Sequence, residues 1–266
     1  MKNDFDMIVH QLDNKHDITI YAISDVHLGS LEHNSEAWEK FVETVRNEPN
    51  SYIILAGDLM NNATRSSVSN IFEETMSPSM QKKKLVQYLS PLKDKILCGV
   101  PGNHERRSLK DADDDPMYDV MSKLDLEDVY RQNIAFMKIQ LGKPHAKGTG
   151  RNTTYMFAVT HGAGGGIYTG AAVNRNERFG NIIDGLDVLI VGHTHKGVIS
   201  KPSKIVIDPR NNTVTQKSYV VMSSQSWMSY GGYAVQKMLL PASAADGSNG
   251  QKIILSKKYK NVKTEW

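Results

Sequence analysis

The alternation of short apolar segments with helix-like segments in the first hundred residues constrains the fold most. Asp17–Ser24, Ser51–Ala56 and Lys95–Val100 are short runs rich in apolar and β-branched residues, which is typical of buried strands. The segments between them predict helices, one over Ser35–Asn47 and one or two over Ser66–Leu89. Strand–helix alternation of this kind predicts an α/β fold with right-handed crossover connections.

The later part of the chain is richer in strands. After a predicted helix over Met117–Tyr130, the strand patterns are Asn133–Leu141, Thr154–Thr160, Val188–Val191, Lys204–Asp208, Lys217–Met222, Tyr233–Leu240 and Gln251–Tyr259. Asp208–Thr213 is rich in turn-forming residues. Because no repeat, low-complexity linker or break in composition divides the sequence, we expect a single domain over residues 1–266.

Composition excludes several classes of protein. With 39% hydrophobic and 23% charged residues, the chain is neither disordered nor collagen-like nor a coiled coil. The net charge of +3 is too small to indicate a general nucleic-acid-binding domain, although it does not exclude a local basic patch. Cys98 is the single cysteine, so no internal disulfide forms. No apolar run approaches the ~18 residues of a membrane span, and residues 1–17 lack the apolar core of a signal peptide. We therefore expect a soluble cytoplasmic protein with no membrane contact.

Polar side chains that can bind metals follow most of the predicted strands. They are Asp25 and His27, Asp58, Asn103 and His104, His161, and finally His193 and His195. Because the carboxyl ends of strands in an α/β sheet line one crevice, we expect these residues to converge. The two Asp/His and His/His pairs are two residues apart, and on extended backbone both members of each pair would point the same way. Mixed oxygen and nitrogen donors favour Mn, Fe or Zn over Ca or Mg.

The order of these blocks resembles the calcineurin-like metallophosphoesterase superfamily. The signature D-x-H, G-D, G-N-H-[ED], H and G-H-x-H is present in this order from Asp25 to His195. The resemblance implies a four-layer α/β/β/α sandwich, in which two mixed β-sheets are flanked by helices. It also implies two divalent transition metal ions, with Mn²⁺ expected first and Fe or Zn as alternatives.

The resemblance further implies a role for each residue of the signature. One metal would be held by Asp25, His27 and His195, and the other by Asn103, His161 and His193. Asp58 would bridge the two metals. His104 would stay off the metals and act as the catalytic residue that faces the substrate. The implied reaction is hydrolysis of a phosphate ester by in-line attack of a metal-bridging hydroxide.

The substrate is less constrained than the metal site. We expect a phosphodiester, with a nucleic acid or nucleotide as one option. Candidate substrate contacts are Asn61, Arg106, Arg107, Arg175 and Arg178. The block G-D-L-M-N-N lacks the arginine and second aspartate typical of protein phosphatases, and Asn61 stands near where the nuclease branch often has histidine.

Two alternatives stay open. One is a phosphomonoesterase that acts on a small molecule or phosphoprotein. The other, from a different class, is a non-catalytic metal-binding scaffold with the same fold. An aromatic cluster at Trp227, Tyr230 and Tyr233 fits either core packing or stacking of a base. The oligomeric state is not indicated by the sequence.

Overall fold

The computed structural model describes residues 3–65, 67, 71–143, 152–166, 168–239, 241, 245 and 250–266. The helices are α1 (Ser35–Asn47), α2 (Pro78–Leu89), α3 (Glu105–Ala112), α4 (Pro116–Lys123), α5 (Thr169–Asn181) and α6 (Gly232–Gln236). The strands of the first half are β1 (Ile8–Leu12), β2 (Ile18–Ile23), β3 (Ser51–Ala56), β4 (Ile96–Val100) and β5 (Ile134–Leu141). The later strands are β6 (Thr153–Thr160), β7 (Val188–Val191), β8 (Val198–Ser200), β9 (Ser203–Asp208), β10 (Thr213–Ser218), β11 (Val220–Ser223), β12 (Lys252–Leu255) and β13 (Val262–Glu265).

These strands form two mixed sheets and one separate two-stranded ribbon. The larger sheet has the order β1-β5-β6-β7-β11-β8, and the smaller one has the order β13-β12-β2-β3-β4. In the smaller sheet β2, β3 and β4 run parallel, and in the larger sheet β6, β7 and β11 do so. Each sheet therefore gathers the carboxyl ends of three parallel strands at one edge.

The two sheets pack face to face, and helices cover their outer faces. The apolar cluster between the sheets takes side chains from both, such as Ile20 and Ile54 on one side and Ile139 and Ile190 on the other. A second cluster joins the smaller sheet to α1, α2 and α4. On the outer face of the larger sheet, α5 packs over β11. This order of layers is the α/β/β/α sandwich that the family resemblance implied.

Helix α1 shows how local sequence sets one of these layers. The side chain of Asn34 accepts a hydrogen bond from the amide of Ala37 at 3.0 Å, which caps the helix start. Trp38, Phe41 and Val45 are buried at helical spacing and pack against the smaller sheet. No helix in the part of the chain that the structure covers is long and apolar enough to span a membrane.

Several predicted elements differ from the observed ones. The predicted strand Tyr233–Leu240 is wrong because α6 occupies its first half, and Leu240 lies outside the described residues. The predicted strand Lys217–Met222 is divided between β10 and β11, because the chain passes from the ribbon into the larger sheet at Tyr219. The helix predicted over Met117–Tyr130 ends at Lys123. Strands β1, β8 and β13 were not predicted, since each is short or partly polar.

Candidate metal centre

The polar residues singled out in the sequence lie together at the carboxyl ends of the parallel strands. Asp25 and His27 follow β2, Asp58 follows β3, and Asn103 and His104 follow β4. From the opposite sheet, His161 follows β6, while His193 and His195 follow β7. Because the sheets pack face to face, these two groups of side chains meet across one crevice.

The backbone reaches this arrangement through left-handed conformations, and not through the extended strand ends that the sequence predicted. The φ angles of Asp25, His27 and Asp58 are +55°, +49° and +52°, and those of His193 and His195 are +72° and +54°. Asp and His adopt this region more readily than most residues, but each still costs of order 1 kcal/mol or more. Local strain at five site residues indicates that the fold holds these side chains for a function.

One cluster of donor atoms is formed by Asp25, His27 and His195, whose ligand atoms all lie within 4.8 Å of one another. The Nε2 atoms of the two histidines are 3.1 Å apart, and His195 Nε2 lies 3.2 Å from Asp25 Oδ1. Asp25 itself is fully buried, and its other oxygen accepts a hydrogen bond from the backbone amide of His193 at 2.9 Å. Three ligand atoms of this cluster are therefore close enough together to hold one metal ion.

The second cluster contains Asp58, His161 and His193, again within 4.8 Å. His161 Nε2 lies 3.1 Å from Asp58 Oδ2. Asn103 joins it, because its Oδ1 lies 3.1 Å from His161 Nε2 and 2.7 Å from His193 Nδ1. Asp58 Oδ2 is also 3.9 Å from His27 Nε2, so its carboxylate stands between the two clusters.

The carboxylate oxygens and histidine nitrogens of both clusters are suited to binding metal cations. Asp25 Oδ1 is buried and has no hydrogen bond of good geometry to any residue that the structure describes. His161 Nδ1 lies 2.8 Å from the carbonyl of Ala56; because a carbonyl only accepts, Nδ1 carries the proton and Nε2 can offer a lone pair to the crevice. Nitrogen and carboxylate donors without thiolates match Mn, Fe or Zn.

The electrostatics of the clusters show how a proton competes with a cation. Burial alone would lower the pKa of His161, but the charge of Asp58 and the hydrogen bond to it raise that pKa to about 10. The pKa of Asp58 lies well below its usual range, because the neighbouring histidines outweigh the opposing effect of burial. Burial, followed by His104 and His195, keeps the pKa of His27 well below its usual value. Burial also opposes a charge on His195, but the charge of Asp25 and the hydrogen bond to it raise the pKa of that histidine. Cation binding therefore competes with a proton at both His161 and His195.

A close approach of backbone lets the strand ends meet. A Cβ atom on Gly102 would lie 2.0 Å from Asp58 Oδ1 and 2.4 Å from the Asp58 amide nitrogen. Only glycine leaves room at this point for the carboxylate of Asp58. The glycine of the G-N-H-E block therefore serves the geometry of the preceding G-D block.

Glu105 holds the backbone of the site by hydrogen bonds and was not among the predicted site residues. It is fully buried, and its carboxylate accepts hydrogen bonds from the amides of Asp58, Met60 and Gly102 at 2.9, 2.9 and 2.8 Å. The bracketed acid at the end of the G-N-H-[ED] block was the available signal, but the pattern does not show what it contacts. In the structure its hydrogen bonds connect the segment after β3 to the segment after β4.

His104 lies beside the clusters with both ring nitrogens engaged. Its Nδ1 donates to the carbonyl of Asn61 at 2.8 Å, and its Nε2 lies 3.0 Å from Arg107 Nη2, which can only donate. Its Nε2 is also 3.8 Å from Asp58 Oδ2. Burial, followed by the charge of Arg107 against the opposing effect of Asp58, gives His104 a pKa below its usual value.

Asn61 contacts a metal-site histidine. Its Oδ1 lies 3.2 Å from His27 Nδ1, and its amide nitrogen donates to Glu74. Gln81 donates to the other oxygen of Glu74 at 2.5 Å and accepts from the amide of Asn62 at 2.8 Å. Neither Glu74 nor Gln81 was predicted from sequence, because their only signal is proximity in the fold. A role of Asn61 in substrate binding stays a prediction.

The other predicted arginines lie outside these clusters. Arg106 donates to the carbonyl of Gln132 at 2.7 Å. Arg175 lies on α5 and donates to the carbonyls of Ala163, Gly164 and Gly165, the loop that follows His161. Arg178 is exposed on α5. The segment between His161 and His193 contains helix α5, which was not predicted from the sequence, and substrate roles for these arginines stay predictions.

The predicted aromatic cluster is divided by the structure. Trp227 is buried and packs against Trp38 and Phe41, with ring centroids 5.2 and 4.8 Å apart. Tyr230 is half-exposed and donates to the carbonyl of Leu239 at 2.7 Å. Core packing is therefore the role of the tryptophan, and the position of the Tyr233 side chain lies outside the described part of the structure.

Comparison with known proteins identifies the family. The family model for the calcineurin-like phosphoesterases matches residues 18–197, about two thirds of the chain and the whole of the donor clusters. No curated protein matches the sequence. Among solved structures, the chain is similar to a conserved uncharacterized protein of Streptococcus pneumoniae TIGR4, described as a predicted phosphoesterase. That similarity has 12% identity and a TM-score of 0.35, and covers 93% of this chain and 97% of the other. The family match, together with the donor clusters, shows that this chain belongs to the calcineurin-like phosphoesterases and is a metal-dependent phosphoester hydrolase.

Proposed function

We propose that the protein hydrolyses phosphodiesters with two divalent transition metal ions, Mn²⁺ first. One ion is held by Asp25, His27 and His195, and the other by Asn103, His161 and His193, with Asp58 between them. The observation that carries this proposal is the position of Asp58 Oδ2, 3.1 Å from His161 Nε2 and 3.9 Å from His27 Nε2. Bound ions would supply positive charge against phosphate oxygens and lower the pKa of a water molecule at the site.

The residues of the chain supply binding, orientation and a proton. Ala56 and Asn61 orient the rings of His161 and His27, so that both Nε2 atoms face the crevice. His104 is held by the carbonyl of Asn61, which leaves its Nε2 as the atom that faces the substrate. In the proposed reaction His104 carries a proton on Nε2 and donates it to the leaving oxygen.

Arg107 supports a charged substrate. Its Nη2 and Nη1 atoms contact His104 Nε2 and the carbonyl of Asn61 at 3.0 and 3.1 Å, and no carboxylate is among these partners. A phosphate oxygen is a stronger acceptor than either. We therefore assign Arg107 to the substrate phosphate, and its shift from His104 to the phosphate frees His104 Nε2 to carry the proton.

The preference for a diester rests on charge. Monoesters and diesters of alcohols both release an alkoxide that needs a proton donor, so His104, which lies 3.8 Å from Asp58 Oδ2, would serve either substrate. A phosphomonoester would place a second negative charge in the same crevice, which favours several cations around the phosphate. The one cationic side chain that contacts His104 in the described part is Arg107.

Hydrolysis of bis(p-nitrophenyl) phosphate and of p-nitrophenyl phosphate by the Mn²⁺-loaded protein tests the proposal. We expect the larger kcat/KM for the diester, and no activity for Asp58→Asn. A clear preference for the monoester would overturn the diester assignment and leave a small molecule or phosphoprotein as substrate. Two bound metals without turnover of either compound would favour the metal-binding scaffold. If the diester is preferred, DNA, RNA and cyclic nucleotides are the next substrates to compare.

A further inference from the structure

The ribbon formed by β9 and β10 presents an apolar face to solvent. The two strands pair with each other and with no other strand in the described ranges. Ile205, Ile207 and Val214 are 75%, 72% and 68% exposed, which is unusual for branched aliphatic side chains in regular structure. An isolated two-stranded ribbon is at best marginally stable in water, so this element needs contacts beyond its own hydrogen bonds.

The pairing register shows that these residues share one face. Val214 lies opposite Ile207, Gln216 opposite Ile205, and Ser218 opposite Ser203. Alternate residues of a strand point to the same side. We call this side the outer face; it consists of Ser203, Ile205, Ile207, Val214, Gln216 and Ser218.

The opposite side of the ribbon is tied to the body of the protein. Lys204 donates to the carbonyl of Ile183 at 2.7 Å and lies 3.8 Å from Asp184. Lys217 lies 3.7 Å from the carboxylate of Asp187, which is buried at the start of β7. Both lysines belong to the alternate set of ribbon residues. The charges therefore hold the ribbon to the body and turn its neutral side outward.

The chemistry of the outer face matches a copy of itself. In a two-fold interface each residue near the axis meets its own equivalent, so a charged group there would meet a like charge. The outer face has no charged residue. Its polar groups are serine hydroxyls and a glutamine amide, each of which both donates and accepts hydrogen bonds and can pair with its equivalent. Its remaining groups are aliphatic.

We propose that the outer face of the ribbon is the interface of a homodimer. The three aliphatic side chains expose on the order of 400 Å² per protomer, about half of the ~800 Å² that each partner of a standard interface buries. The three polar residues of the outer face enlarge this area. Because the total stays small, we expect a dissociation constant in the micromolar range.

Sedimentation velocity from about 1 to about 200 µM protein tests the dimer. We expect the wild type to pass from monomer to dimer, and Ile207→Lys to raise the dissociation constant at least tenfold. The matched control is Val9→Lys, because Val9 is also exposed on a strand. It lies on β1, at the edge of the larger sheet opposite to β8, the strand that precedes the ribbon in the chain. A wild type that stays monomeric throughout, or equal effects of both variants, would overturn the proposal. Open-ended assembly beyond the dimer would overturn it too.

Site-specific cross-linking provides an independent test. The native Cys98 is fully buried, so an introduced cysteine reacts selectively. Gln216 lies in the middle pair of the outer face, and its neighbour Thr215 is exposed on the opposite side. We expect Gln216→Cys to form a disulfide-linked dimer under mild oxidation and Thr215→Cys to stay monomeric. Equal cross-linking of both variants, or of neither, would contradict the assigned face. Neither test measures phosphoester hydrolysis.

Discussion

The carboxylate of Glu105 accepts a hydrogen bond from the backbone amide of Asp58 at 2.9 Å. The same carboxylate accepts from Met60 and Gly102, so it satisfies three amides that belong to two different strand ends. Burial and the nearby charge of Asp58 raise the pKa of Glu105 to about 7. The position of Asp58 in the crevice therefore depends on a residue that does not itself face the crevice.

Replacement of Glu105 by glutamine should destabilise the protein. The new amide group would turn a donor toward backbone amides that are also donors, and hydrogen bonds to a charged acceptor contribute about 2 kcal/mol each. We expect the Tm of the metal-free protein to fall by about 4–8 °C in thermal unfolding followed by circular dichroism above pH 7, where Glu105 is charged. Glu43→Gln is the control, because that side chain is 61% exposed on α1, and its Tm should not change. Equal shifts for both variants would contradict the role of Glu105.

The His104→Ala variant should keep both metals and lose turnover. Both ring nitrogens of His104 are engaged, by Asn61 and Arg107, so neither is free for a cation in this arrangement. We expect kcat for a substrate with an alkoxide leaving group to fall by about 10²–10⁴-fold, the usual contribution of a general acid, with the metal content per chain unchanged. Elemental analysis and steady-state kinetics measure the two quantities.

An alternative geometry makes this prediction easy to refute. His27, Asp58 and His104 also have ligand atoms within 4.8 Å of one another. Loss of a metal from His104→Ala would show that His104 is a ligand, and the assigned roles would then be wrong. The matched control is His193→Ala, which should lose metal because its ring meets Asn103 at 2.7 Å in the second cluster.

Removal of Arg107 should raise the pKa of His104. Burial is the main cause of the lowered pKa, and the positive charge of Arg107 lowers it further, while Asp58 acts in the opposite direction. In the Arg107→Ala variant one opposing charge is gone, so the imidazolium forms at higher pH than in the wild type. Histidine NMR titration of the metal-free protein measures this shift.

The neighbouring arginine offers a control for that titration. Arg106 is adjacent in sequence but donates to the carbonyl of Gln132, so Arg106→Ala should leave the titration of His104 unchanged. A His104 pKa that falls, or stays constant, in Arg107→Ala would contradict the contact on which the proposed substrate role of Arg107 depends.

The fold class and the convergence of the polar blocks were predictable because their signals are local. Each of these residues stands one to four positions after an apolar strand, and strand ends of an α/β sheet meet at one edge. The four-layer sandwich that the family resemblance implied is confirmed, as are α1, β3 and β7 with the predicted bounds. The functional roles of the individual residues stay predictions.

Other features depend on contacts between distant segments. The left-handed backbone at Asp25 and His27 is held by hydrogen bonds from their amides to the segment after β3; the amide of His27, for example, donates to the carbonyl of Asp58. Glu74 is connected to the site by its hydrogen bond from Asn61, and Gln81 by its hydrogen bonds with Glu74 and with the amide of Asn62. The segment Tyr233–Leu240 was predicted as a strand, although α6 begins at Gly232, where φ is +44°. Periodicity alone contains none of this information.

Asn61→Ala should weaken metal binding although Asn61 is not a ligand. The amide oxygen of Asn61, 3.2 Å from His27 Nδ1, fixes the proton on that nitrogen and so turns the Nε2 lone pair toward Asp25 and His195. Loss of such a partner typically costs 10–100-fold in metal affinity. We expect a drop of this size in titrations of the metal-free protein with Mn²⁺, while Asn211→Ala, in an exposed turn, should bind as the wild type does. If Asn61→Ala keeps full affinity but KM rises, Asn61 acts on the substrate, and the orientation of His27 must come from elsewhere.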